Sequence, residues 1–305
     1  MFKSRFARRL LRVVIVLAII AVFVLYPVAS LLAYNVLSTV SPKATPVTPN
    51  GVYEDVTYPS RGQDYMVRAF YLPAETPGRA IVFGHGWRGT RHSQELLQFL
   101  DALRQMGYTI LVPDFADGRG ETVGNGRIAM GYEERFDLLG GYDYLIERGF
   151  APSQIGIMGG SMGATTVLLS APLEPRIKAV WADSPYASVE RVAGDQAQTF
   201  GFPRWIVPGG LLWGWLITGN KIWEVSAIDQ GPALAANNQP VQLVHCDEDD
   251  FVFYQHSLDI LAAYKAANVA VDLWTLACKK HGTSFAVGGT EYLQRVDAFF
   301  KAHLN

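Results

Sequence analysis

Short apolar runs of strand character alternate with helix-length amphipathic stretches through most of this chain, and that alternation limits the fold more than any other feature. The runs are Tyr53–Tyr58, Met66–Leu72, Ala80–Gly84, Thr109–Pro113, Ile155–Met158, Ala179–Ala182, Val241–His245 and Val271–Leu276. Ser93–Met106 carries Leu96, Leu97, Leu100 and Leu103 at helical spacing, and Tyr132–Glu147, Leu258–Ala267 and Glu291–Ala302 behave likewise. Parallel strands need a crossover that returns the chain to the same end, and a helix supplies it. The expectation is an α/β domain: a mostly parallel eight-stranded sheet with helices on both faces. The first two runs, joined by the turn at residues 60–64, predict an antiparallel entry hairpin. In such sheets ligands bind beyond the carboxyl ends of the strands, so chemistry is sought where strands stop.

The segment ahead of this domain reads differently. Lys3, Arg5, Arg8, Arg9 and Arg12 precede an uncharged run of 22 residues from Val13 to Tyr34. About 20 residues cross the hydrocarbon core as a helix. Cations on one flank alone place the N-terminus in the cytoplasm and the domain on the far side, periplasmic or extracellular. A cleaved signal peptide is the rival reading, with small residues at Val28-Ala29-Ser30, but Leu31, Leu32 and Ala33 carry the run past a usual signal and favour a retained single-pass anchor. Residues 1–37 are thus expected to form the anchor. Residues 38–50, with prolines at 42, 46 and 49, form a semi-extended linker, and 51–305 the folded domain.

The 26 basic and 28 acidic residues nearly balance, and five of the cations lie in the first twelve positions. No basic stripe follows, which argues against a nucleic-acid partner. No HExxH, paired CxxC or phosphate loop calls for a metal or nucleotide, so no cofactor is expected.

Ile155–Met158 runs into Gly159-Gly160-Ser161-Met162-Gly163 and then into the apolar Ala164–Leu169. Strand, G-x-S-x-G, helix is the context of a nucleophile elbow: the turn is so tight that small residues must flank the serine, whose hydroxyl is left above the sheet. An idle serine in a glycine-rich turn is the plain alternative. The helix behind Ser161 aims its positive end at the reacting centre, and the Met162 N–H becomes one donor to a developing oxyanion. A second donor is expected after the early strand, where Gly84-His85-Gly86-Trp87-Arg88-Gly89 brings the Trp87 N–H forward. His85 is read as holding that loop, and Arg88 as a solvated charge.

In chain order an acid and then a histidine must follow the serine. Strand Val241–His245 ends in Cys246-Asp247-Glu248-Asp249-Asp250, the dense supply of carboxylates in that half, and Val271–Leu276 leads to His281 on a loop before the last helix. His92, His256, His245 and His303 are placed less suitably for a base.

With GHGWRG, the PDF…GRG segment at 113–120, GGSMG, ADSPY at 182–186, HCDEDDFV at 245–252 and the late KHG, the chain resembles the α/β-hydrolase superfamily from about residue 52 onward. It looks most like the serine-aminopeptidase-like and dienelactone-hydrolase-like branch, which includes membrane-anchored members. The resemblance implies an α/β-hydrolase fold and an H-G-x-x-D-x-x-V acid turn. Laid on residues 245–252, that turn selects Asp249, with Asp250 as its neighbour and Cys246 where the pattern has glycine. The implied triad is Ser161, Asp249 and His281. It would cleave an ester, or a thioester or amide, of a small-molecule or lipid-like acyl substrate through an acyl-serine, as a carboxylesterase more than as a peptidase. An acyltransferase on the same triad and a non-catalytic membrane-anchored binding protein are the alternatives.

Two further readings concern what surrounds the triad. Cys246 stands three residues before Asp249 and Cys278 three before His281, so the cysteines would share a register on neighbouring strands. Either they form a bridge bracing the two loops or they are two buried free thiols. About 55 residues between Ser184 and Gln239 exceed what a tight crossover needs and are rich in Trp and Phe. They are expected to form a helical cap, at about 186–239, whose Trp205 and Trp213 line an apolar pocket, or alternatively a surface that dips into the membrane.

Overall fold

The computed structural model describes residues 2–38, 46–76, 78–115 and 126–305, so part of the PDF…GRG segment lies outside the described residues. The chain divides into two compact units, Met1–Ser38 with Ala193–Lys221, and Thr39–Val192 with Ile222–Asn305.

The first unit is helical. α1 (Phe2–Ile20) passes through a π-helical segment, Ala21–Leu25, into α2 (Tyr26–Ser38). The widening has a local cause. Pro27 offers no N–H and its ring crowds the carbonyl four residues back, and the turn before it relaxes, with the Tyr26 N–H reaching Ala21 O. The second piece of this unit ends in the apolar helix Val207–Thr218, closed at Gly219 in the left-handed conformation with its N–H on Trp215 O.

The second unit is the sheet domain. Its strands are β1 (Glu54–Pro59), β2 (Met66–Leu72), β3 (Arg79–Gly84), β4 (Tyr108–Pro113), β5 (Ile155–Gly160), β6 (Val180–Asp183), β7 (Val241–Cys246) and β8 (Val271–Leu276), in the order β1-β2-β4-β3-β5-β6-β7-β8. β1 pairs antiparallel with β2, and β2 with β4; every later pairing is parallel. The central strands are buried on both faces, as Ile81, Val82, Ile110, Leu111 and Ile157 show. That is why they read as unbroken apolar runs and not as alternating ones. Two layers of core result, one around Leu138, Tyr142, Val167 and Leu168, the other around Leu100, Leu103, Tyr292 and Phe300.

Helix bounds lie within three residues of the sequence reading except at the last helix. The last helix begins at Ser284 and not at Glu291, with a break in helical backbone at Gly289, whose φ of 50° is open to glycine and costly for other residues. The extra turns start three residues past His281, so the helix fixes one end of that loop.

Candidate active site

Ser161 stands between β5 and the helix Met162–Ser170 with φ 57° and ψ −119°. A serine held there stores about 1–3 kcal/mol of backbone strain, tolerated because the surroundings leave no alternative. At Gly163 even a methyl group would collide with the Gly84 carbonyl, and at Gly86 a Cβ would lie 3.4 Å from Ser161 Cβ. Gly163 is therefore a condition for the β3 loop and the serine turn to meet, whereas Gly86 only marks how closely they approach.

His281 bridges to this turn. Its Nε2 is 2.8 Å from Ser161 Oγ, and its Nδ1 lies 2.7 Å and 3.0 Å from the two carboxylate oxygens of Asp249. A carboxylate only accepts, so the proton belongs on Nδ1 and the Nε2 lone pair faces the hydroxyl. Asp249 is buried, and Oδ1 also accepts the Phe251 and Val252 N–H groups at 2.9 Å each. Burial pushes its carboxyl up, but the His281 hydrogen bond and charge, the Phe251 N–H and His245 outweigh that, and the balance lies below the usual value. Asp250, the neighbouring alternative, accepts the His281 main-chain N–H at 2.9 Å and so fixes the loop instead.

His85, His92, His245 and His256 are committed elsewhere. His85 donates from Nδ1 to Gly86 O and accepts the Phe115 N–H at Nε2. His92 donates to Val47 O, and His256 accepts from the Ala187 N–H. Fully buried His245 donates from Nε2 to Val252 O at 2.8 Å and accepts from Ser257 Oγ, locking the acid turn from behind. Burial drives its pKa down to about 4, and it stays neutral. Trp87 stacks on Phe251, which in turn lies beside the His281 ring. Arg88 is not a freely solvated charge: its guanidinium rests 4.3 Å above the Trp87 ring.

Cys246 and Cys278 form a disulfide, but not through matched strand positions. Cys246 is in register with Leu276, and Cys278 lies two residues beyond the strand, where the loop turns back. Further rungs join the same loops: Glu248 N–H to Cys278 O and Asp250 N–H to Lys279 O.

Trp205 and Trp213, expected to line a pocket, make contacts inside the helical unit. The Trp213 indole N–H donates to Pro27 O at 2.9 Å, and Trp205 stacks on Tyr26. An indole N–H in apolar surroundings needs an acceptor, and a carbonyl of the N-terminal helix is the one within reach.

Sequence reasoning missed Asp183. It ends β6, is partly buried, and accepts from Ser184 Oγ, Ser284 Oγ and Tyr292 O–H at 2.7–3.0 Å. Burial raises its carboxyl pKa against those three hydrogen bonds. Because Ser284 opens the helix after His281, Asp183 positions the histidine loop without touching the serine hydroxyl. Its place at a strand end was the available signal. Arg91 was missed as well; fully buried between Asp114 and Asp55, it ties the loop after β3 to the end of β4.

The family follows from comparison with known proteins. Residues 91–305 match the model of the prolyl oligopeptidase family. The chain belongs to that family. The fold is the α/β-hydrolase fold, shared with an esterase of Pyrococcus furiosus at TM-score 0.71 and 20% identity, over 88% of this chain and 100% of that one. An α/β hydrolase of a Penicillium species aligns at TM-score 0.65 and 18% identity, over 83% of this chain and 99% of that one. An acylaminoacyl peptidase of Pyrococcus horikoshii aligns at TM-score 0.63 and 18% identity, over 83% of this chain but 41% of the other. No curated protein sequence matches the chain.

Proposed function

We propose that this member of the family is a membrane-anchored serine hydrolase that cleaves carboxylic esters through an acyl-Ser161 intermediate. One observation carries the reading: the unbroken line from Ser161 Oγ to His281 Nε2 and from His281 Nδ1 to the buried Asp249 carboxylate. His281 takes the hydroxyl proton as Ser161 Oγ attacks the acyl carbon, then returns it to the departing alkoxide. Asp249 stabilises the imidazolium formed in between. The N–H groups of Met162 and Trp87 receive the oxyanion, and water repeats the sequence in reverse to free the acid.

The ester reading is favoured because the likeness to the Pyrococcus esterase extends over that whole chain. The family match and the acylaminoacyl peptidase likeness support amide cleavage as the second reading. The 33-residue apolar helix Phe6–Ser38, with cations on its N-terminal flank, supports an anchor, and the Cys246–Cys278 pair supports an oxidising, extracytoplasmic compartment.

A fluorophosphonate probe is expected to label the protein and not its Ser161→Ala variant. Acyl p-nitrophenyl esters should then turn over faster than aminoacyl p-nitroanilides. Labelling that survives the substitution sinks the mechanism, and the reverse substrate order sinks the ester assignment.

A further inference from the structure

Most of the second helical piece is explained neither by the sheet nor by the triad. From Trp205 to Asn220 it has no charged residue; Arg204, which pairs with Asp195, and Lys221 bound it. Trp205, Leu212, Leu216 and Ile217 are exposed, Trp205 and Leu216 at 61% and 58%. In water such a surface would be costly, since each large apolar side chain gains by leaving it.

Its partner within the unit is α2. Gly209, Gly210 and Gly214 lie against Ser30 and Tyr34 with no room for a Cβ at Gly209, where it would fall on Ser30 Oγ, and little at Gly214, 3.0 Å from the Tyr34 ring. Trp213 adds its hydrogen bond to Pro27 O. Small residues at the contact and large apolar ones outside is the arrangement of helices packed in lipid, where burying Leu between helices gains nothing over leaving it among acyl chains.

Depth follows from the position of the contact. Tyr26, Pro27, Ser30 and Tyr34 lie in the last part of the uncharged run Val13–Tyr34, the part that would occupy the leaflet away from the basic flank. A helix of 12 residues spans about 18 Å, too short to cross the ~30 Å hydrocarbon core, and a charge at each end returns both ends to the same headgroup region. Its closure at Gly219 leaves fewer open carbonyls, as a lipid setting requires.

We propose that residues 205–218 form a second membrane element, a short helix that rests in the outer leaflet beside the anchor, with the charged ends at Arg204 and Lys221 at the headgroup level and lipid acyl chains as its partner. The proposal rests on the reading of Phe6–Ser38 as a spanning anchor. Val28, Leu32 and Val36 of the anchor helix on which it packs are exposed and apolar as well, so the surface to be covered belongs to both helices, and this favours lipid over another protein.

The test uses the full chain reconstituted in phosphatidylcholine vesicles, with an environment-sensitive NBD label at one of three sites. These are Leu216→Cys, Val22→Cys in the anchor and Leu173→Cys in the sheet domain. The expected result is a blue-shifted label at 216, quenched several-fold more by acyl-chain doxyl lipid than by iodide, matching 22 and opposite to 173. A label at 216 that is aqueous like 173 while 22 is lipid-quenched overturns the proposal and leaves the anchor intact. Aqueous labels at both 216 and 22 overturn the anchor reading and the proposal with it. A label at 216 shielded from both quenchers, with chains that cross-link to one another there, assigns the face to a second copy and overturns lipid as the partner.

Discussion

The two units use the same kinds of side chain in opposite directions. In the sheet domain Leu72, Ile81, Ile110 and Leu111 are fully buried, whereas in the helical unit Leu17, Phe23, Leu25, Leu212 and Leu216 face outward and Ser30, Gly209 and Gly214 fill the helix contact. The difference teaches that hydrophobicity fixes only which surfaces avoid water. In the sheet domain that is achieved by layering helices on strands, each buried Leu or Ile contributing about 1.5–3 kcal/mol. In the helical unit, on the reading proposed above, surrounding lipid does it, and shape complementarity between small residues holds the helices together.

The sharpest way to separate the units is to disable one. Ser161→Ala should lower ester hydrolysis by about 10⁴-fold or more while the chain stays in the carbonate-resistant membrane fraction. Turnover that falls less than tenfold would show that the serine turn is not where the chemistry occurs. Asp249→Asn, nearly isosteric, should cost about 10³–10⁴-fold in kcat, because the amide favours the wrong imidazole tautomer, with little change in KM; steady-state kinetics on one ester decides this.

Stability differences come next. The Cys246–Cys278 bond closes a loop of 32 residues, and its replacement by paired serines should cost about 3–4 kcal/mol, read from urea midpoints of the sheet domain's near-ultraviolet signal. An unchanged midpoint would mean that the backbone rungs between the two loops suffice.

His245 gives a pH signature confined to the same domain. Its folded pKa of about 4 lies below the 6.5 of an unfolded histidine, so between those values the unfolded chain binds the proton first. Stability should be full above about pH 6.5 and fall by about 3 kcal/mol by pH 4. His245→Asn should flatten that stretch of a melting-temperature profile. Asp249, with its depressed pKa, acts in the same direction at lower pH.

The smallest effect is expected in the helical unit. Gly209→Leu drives a side chain onto Ser30 and Tyr26, at about 1–3 kcal/mol of overpacking, and should red-shift tryptophan emission in vesicles with ester turnover unchanged. Unaltered emission would show that the two helices are not in contact in the membrane.

Much of the site was legible because its chemistry is tied to local pattern. Gly159–Gly163 announces a turn that only glycines permit, and His281 follows a strand in the order the mechanism needs. Asp249 could be chosen from four adjacent carboxyl groups only through resemblance to a family motif. In the structure a difference in partners separates them: Asp249 meets the imidazole, Asp250 the main chain of residue 281. Asp183 was not legible, since a lone carboxylate at a strand end looks the same whether it faces water or, as here, three buried hydroxyls.

By itself the sequence determined the alternation of strands and helices, the serine turn and the apolar N-terminal run, because each depends on neighbours a few residues apart. Tertiary structure alone decided which carboxylate meets His281, that the cysteines join across a loop and not a strand pair, and that the tryptophan-rich segment packs on the N-terminal helix. Those outcomes depend on residues tens to hundreds of positions apart, brought to hydrogen-bonding distance by the way sheets and helices stack, and no local pattern encodes such distances.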